Sequence, residues 1–393
     1  MMMKQIVAVT AMNLRSLPQR MGTAWVIVIG IAVTVAVMVS VLAMAEGFTK
    51  TLKGTARTDR AIVLRSGSEG ELASTISREN TQTILDAPGV RKDAAGRPIA
   101  SAEAVVIVAL PQKKDGVDAN VTLRGIGANA SALRPEMHLI AGRMFKPAVR
   151  EIIVGKSALA QFKGLELGSR IAFRDSEWTV VGVFETGGDA HESELQGDVE
   201  TVLSAYRRNL FQSVSVMLES AGAFDRFKAA LTTDPTLKVS VERETDYYAA
   251  QSSRLSKLLN LLAYFVGGIM ALGACFGALN TMYTAVSTRT REIATLRAIG
   301  FSGLPIVISV LVESLLLALI GSAIGSVAAW VFFDGNTVNT LGASFTQVVF
   351  HLTVTASLLV SGVVLACTVG MLGGLLPAIR AARLPIATAL RAN

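Results

Sequence analysis

Apolar residues in this chain gather into four long runs separated by mixed or polar stretches. Residues 21–45, 258–288 and 335–379 contain no Asp, Glu, Lys or Arg, and residues 298–333 contain one such charge, Glu313. A helix needs about 20 residues to cross the hydrocarbon core of a bilayer. The pattern therefore predicts spanning helices over residues 21–45, 257–288, 304–333 and 354–378, with a short polar loop at 334–353. Residues 1–20 are weakly amphipathic and are interrupted by Pro18, which suits a helix lying along a membrane surface.

The stretch between the first two runs, residues 46–256, has a different rhythm. Short alternating or β-branched segments predict strands at 61–64, 103–110, 120–125, 151–154, 170–173, 178–184, 214–218 and 238–241. Helical periodicity appears at 75–85 and 223–231, and a helix beginning near Thr245 runs without a break into the second span. These elements predict an α+β domain of two parts, the inner one (about 126–200) inserted into the outer. Both cysteines, Cys275 and Cys367, fall in apolar runs, so the domain must stand on its core without disulfides. The fold class is thus a membrane protein: four transmembrane α-helices with a large extracytoplasmic α+β domain between the first and second.

Charge sets the orientation. Lys4, Arg15 and Arg20 precede the first run, Arg289, Arg291 and Arg297 outweigh Glu292 after the second, and Arg380, Arg383 and Arg391 follow the last. Positive loops stay inside, which places both termini and the 289–303 segment in the cytoplasm and the tail, 379–393, beside them. Residues 46–257 hold 28 Lys and Arg against 27 Asp and Glu, so the net +7 is mostly membrane bias. No basic stripe points to nucleic acid.

Between the second and third runs, Ile293, Leu296 and Ile299 recur at three-residue spacing along a short basic helix, which Gly300 can end. Arg291-Glu292-Ile293 followed by Leu296-Arg297-Ala298-Ile299-Gly300 resembles the signature of FtsX-like, MacB-type ABC transporter permeases. Residues 376–391, Leu376-Pro377-Ala378-Ile379-Arg380-Ala381-Ala382-Arg383-Leu384-Pro385 and then Ala389-Leu390-Arg391, resemble the ending of that family. The resemblance implies that 289–303 is a cytoplasmic coupling helix, with Arg291, Glu292, Ile293, Leu296, Arg297, Ile299 and Gly300 meeting an ABC ATPase and the apolar edge seated in its groove.

Within the spans, a carboxylate at Glu313 is costly and must be protonated or hydrogen-bonded, so it is read as a helix-packing element. Gly273 with Gly277, Gly321 with Gly325, and Gly370 with Gly374 permit close helix contact, within one chain or across a dimer. Gly155-Lys156-Ser157 lacks the first glycine of a phosphate loop, since position 150 is Arg150. The expectation is a non-catalytic, stand-alone permease that binds no cofactor, with ATP and Mg held by a separate ATPase. His138, His191 and His351 are too scattered for a metal site, and the acidic stretch 189–200 reads as a solvated loop.

The resemblance further implies a homodimer, contact with membrane lipid and, in many members, a periplasmic adaptor and outer-membrane channel. It implies export of an amphipathic compound, peptide or lipid-linked cargo. The alternatives are envelope signalling that regulates a periplasmic hydrolase without transport, or lipoprotein release.

Overall fold

The computed structural model of the chain describes residues 2–16, 21–342 and 346–383. Helices α1 (Met2–Ser16) and α2 (Met21–Thr55) come first. They are followed by β1 (Arg60–Arg65), α3 (Arg78–Leu85), β2 (Ala100–Pro111), β3 (Asp118–Ile126), α4 (Ala130–Leu133), β4 (His138–Gly142), β5 (Glu151–Gly155) and α5 (Lys156–Gln161). Then come β6 (Arg170–Phe173), β7 (Ser176–Glu185), β8 (Leu195–Asp198), α6 (Val199–Ala205), β9 (Ser213–Met217), α7 (Phe224–Thr232) and β10 (Val239–Arg243). The chain continues with α8 (Glu244–Thr288), α9 (Thr290–Ala298), α10 (Gly303–Phe333), β11 (Thr337–Leu341), β12 (Gln347–His351) and α11 (Ala356–Ala382). The last part of the C-terminal motif, from Leu384 onward, and Pro18 lie outside the described residues.

Two compact units result. A helical unit comprises Met1–Glu46, Lys257–Asn336 and Leu352–Asn393, and a sheet unit comprises Gly47–Ser256 and Thr337–His351. Among the described residues, four helices are long and apolar enough to cross a membrane: Ala24–Thr55 within α2, then α8, α10 and α11. The first continues ten residues past the predicted end at Ala45, and α8 is one uninterrupted helix.

The core of the helical unit is built by small residues that let backbones approach. A Cβ at Gly325 would lie 2.3 Å from the Ala32 carbonyl oxygen, and one at Gly321 2.8 Å from that of Val28. At the α10–α11 contact a Cβ at Gly370 would meet Ala318 at 2.7 Å, and one at Gly374 would meet Ser314 at 2.8 Å. Ser314 Oγ donates to the Gly370 carbonyl at 2.5 Å, which satisfies a polar group where no water competes. Among the described residues, a Cβ at Gly273 or Gly277 would meet nothing within 4 Å. Two of the three glycine pairs therefore pack within the chain, and the third does not.

The sheet unit carries one ten-stranded sheet ordered β10-β1-β9-β2-β3-β8-β5-β7-β4, with β6 on β7. Strand β2 is long because it serves two neighbours: Ala100–Glu103 pair with β9, and Ala104–Pro111 pair with β3. Two apolar cores follow from this hand-over. One, around Val63, Ile84, Val216 and Phe227, lies at the β1–β9–β10 end, and the other, around Val106, Leu123, Phe162 and Trp178, at the opposite end. The inner core takes in β2 from Ala104 and extends to Phe211, so the inner part is wider than the predicted 126–200. The predicted polar loop 334–353 is instead the antiparallel hairpin β11–β12, and it belongs to the sheet unit.

Candidate functional site

The nine residues of α9 are bounded by two backbone devices. Arg289 stands at its N-cap without a side-chain cap, and Gly300 ends it at φ 103°. Gly300 N–H donates to the Arg297 carbonyl and Phe301 N–H to that of Leu296, both at 3.1 Å. This pair of bonds is the Schellman arrangement, whose left-handed residue is normally glycine.

Both ends of α9 are tied to other helices of the helical unit. Arg289 is 4% exposed, and its Nη1 donates to Glu313 Oε2 on α10 at 3.1 Å. Its Nη2 lies 3.5 Å from the Asn13 carbonyl oxygen on α1. Asn13 Nδ2 donates to Ser309 Oγ, one turn before Glu313. At the other end, Arg297 Nη1 donates to the Ala382 carbonyl of α11 at 2.6 Å. Glu313 is thus ion-paired at 5% exposure, and its partner comes from the segment after α8.

The apolar edge of α9 divides three ways. Ile293 is buried in the core of the helical unit, together with Ala294. Leu296 is half-buried and lines a cavity of about 20 Å³ with Val9, Arg289, Ile306 and Glu313. Ile299 is 72% exposed. The expectation that Ile293, Leu296 and Ile299 all enter a partner's groove is therefore corrected: Ile293 is used by the chain itself, and Leu296 faces inward. The exposed face presents Arg291, Glu292, Thr295, Ile299 and Gly300.

A second polar constellation lies wholly inside the sheet unit. Arg124 on β3 is 3% exposed and binds Glu71 and Glu103 at 2.7 Å and Glu194 at 2.8 Å. Arg134 holds the other oxygen of Glu103 at 2.6 Å, and Ser213 Oγ donates to Glu71. His191 Nδ1 lies 3.0 Å from Glu194, and its Nε2 3.4 Å from the Tyr248 hydroxyl. Burial alone would raise the Glu103 carboxyl, but Arg134 and Arg124 outweigh it and hold the group at about 2. Glu194 is likewise held well below the usual carboxylate range, burial being overcome by Arg124 and then His191.

The stretch from Asp189 to Glu194 is therefore buried, which corrects the solvated-loop reading. Asp189 caps the turn that follows it, and Glu192 accepts from the backbone N–H groups of Thr186 and Gly188. The β11–β12 hairpin covers this region. Val349 N–H donates to Ser193 Oγ at 3.0 Å, Thr122 Oγ1 to Thr346 Oγ1 at 3.1 Å, and Phe350 stands edge-on to Phe48 at 5.6 Å.

Four apolar membrane-length helices, a mixed sheet unit and a short basic helix anchored among the spans define a polytopic membrane permease. Residues 24–234 match the MacB-like periplasmic core domain family, and residues 264–386 the FtsX-like permease C-terminal family. The chain belongs to the MacB-type, FtsX-like family of ABC transporter permeases. It is 29% identical over 229 residues to the macrolide export ATP-binding/permease protein MacB of Hahella chejuensis, covering 56% of this chain and 34% of that protein. Against MacB of Shewanella oneidensis it is 24% identical over 389 residues, covering 86% and 56%. Against the ABC transporter permease YknZ of Bacillus subtilis it is 26% identical over 207 residues, covering 51% and 49%. The chain thus spans between 34% and 56% of the length of these relatives. Among solved structures, the extracellular domain of YknZ superposes with a TM-score of 0.36 at 20% identity, covering 47% of this chain and 99% of that one.

Proposed function

We propose that this chain couples ATP hydrolysis by a cytoplasmic ABC ATPase to movement of its sheet unit outside the inner membrane, driving export of an amphipathic compound, peptide or lipid-linked cargo. The observation that carries this reading is α9 itself, whose Arg289 and Arg297 ends are fixed to α1, α10 and α11 while Ile299 and Arg291 stand exposed. A partner pressing on the exposed face would move three helices together. ATP and its magnesium ion belong to that partner. Both termini and α9 lie in the cytoplasm, in keeping with the excess of arginine there. A second copy of the chain is the proposed neighbour for Gly273 and Gly277, whose flanking Leu272 and Phe276 are 63% and 69% exposed.

Ile299→Asp tests the reading. A charge buried unpaired in a partner's groove is strongly unfavourable, and Ile299 makes no core contact that the change would break. Normal membrane levels with loss of ATPase co-purification are expected, while Thr290→Ala stays neutral. A fully coupled ATPase in Ile299→Asp would overturn the assignment of α9. An intact coupled complex that moves no cargo and carries a bound cell-wall hydrolase would favour signalling over export. Orientation is checked separately by single cysteines, with Cys275 and Cys367 replaced. A cysteine at exposed Thr233 should react with an impermeant thiol reagent in spheroplasts and one at exposed Thr295 should not.

A further inference from the structure

We propose that Arg289 and Glu313 are positioning residues, a charged joint that carries displacement of α9 into α10 and α1. The inference deepens the coupling reading above and rests on it. The Arg289 backbone immediately precedes α9, so it moves with the N-terminus of that helix, while its guanidinium is held by α10 and α1. Between its two tied ends α9 meets its own helical unit through Ile293 and Ala294, and apolar surfaces can slide past one another. An ion pair this deeply buried cannot: drawing the two groups apart strands an uncompensated charge among Val310, Ile306 and Met282. Any shift of α9 therefore pulls on Glu313 and, through Ser309 and Asn13, on α1.

The joint also has slack. The cavity that Arg289 and Glu313 line measures about 20 Å³, room for roughly one water molecule. The guanidinium can turn against the carboxylate, with a water taking up the change, without the pair coming apart. Asn13, Ser309 and Arg289 are polar in a largely apolar surround, and their bonds converge on this point from three helices.

The experiment uses the full chain with its ATPase in nanodiscs and compares wild type, Glu313→Gln, Arg289→Gln and the double variant Arg289→Gln/Glu313→Gln. Each single change strands one charge and should reduce the amount of inserted protein several-fold. The double variant removes both charges and keeps a hydrogen-bonding side chain at each position, isosteric at 313 and shorter at 289. It should recover membrane level and ATPase co-purification, yet lose stimulation of ATP hydrolysis by roughly tenfold. Full stimulation in the double variant would overturn the proposal and leave the pair a packing element. If the double variant does not insert, the exchanged pair Arg289→Glu/Glu313→Arg decides. Stimulation restored above that of the single variants supports the joint, and stimulation no better than theirs overturns it. Failure of the coupling reading itself looks different, since wild type would then neither bind nor stimulate an ATPase.

Discussion

Arg124 in the sheet unit and Arg289 in the helical unit are both buried arginines, and their surroundings differ. Arg124 meets three carboxylates brought by three separate elements, with Arg134 beside them. Arg289 is ion-paired to Glu313 and lies near the Asn13 carbonyl, and a small cavity lies next to it. A guanidinium with five donors is held in place once several acceptors surround it from different directions. Beside Arg289 it is the cavity, and not a lack of partners, that leaves the guanidinium room to turn. The first arrangement suits a clamp that fixes a domain, and the second suits a contact that must survive motion.

The largest expected effect tests the clamp. Arg124→Leu should strand Glu71, Glu103 and Glu194 without their shared partner and cost at least about 3–5 kcal/mol. Limited proteolysis would read this as loss of protected fragments from residues 47–256, and an unchanged digestion pattern would remove the clamp from the comparison. Acid gives the next effect. Glu103 is held at about 2 in the folded domain against the ordinary glutamate value of 4.5, so its contribution is complete above the unfolded value. It is lost as pH falls from near 4.5 toward 2, on the order of 3 kcal/mol in all. Resistance of the sheet unit to pepsin should therefore fall across that window, and a flat profile would contradict the depressed carboxyl.

In the helical unit, Gly325→Ala should cost about 1–3 kcal/mol by overpacking against the Ala32 carbonyl, measured as a lower unfolding temperature in detergent. Smallest of all, Gly277→Ala should change monomer stability by less than about 0.5 kcal/mol, because nothing approaches it. A clear loss of self-association in that variant would instead sharpen the case for a second copy at α8.

Much of the helical unit was legible because a charge-free run of membrane length admits few other readings, and α8 could be followed from Thr245 through its apolar run. The α9 edge was misread for a geometric reason. Residues three apart on a helix drift by about 60° per step, so Ile293 and Ile299 point about 120° apart and cannot share one groove. Arg289 was missed because an arginine at the end of a span looks like inside-positive bias, and only its distance to Glu313 reveals the pair. The stretch from Asp189 to Glu194 reads as solvated in sequence because its counter-charge, Arg124, lies 70 residues away from Glu194. Strand β8, Leu195-Gln196-Gly197-Asp198, has little apolar alternation and exists through its partners β3 and β5. The hairpin was hidden inside an uncharged run, where Val348, Val349 and Phe350 look like the approach to a span.

The hairpin also sets an order of events during synthesis. Strand β12 ends at His351, whereas the sheet it covers is complete by Arg243. A ribosome adding about 5–20 residues per second reaches the hairpin several seconds after the last sheet strand has emerged. Until then Thr122, Ser193 and the ring of Phe48 lack their cover from Thr346, Val349 and Phe350. The sheet unit of a nascent chain is consequently unfinished until the third long helix has been made, and a chain released early leaves that polar seam open to quality-control proteases.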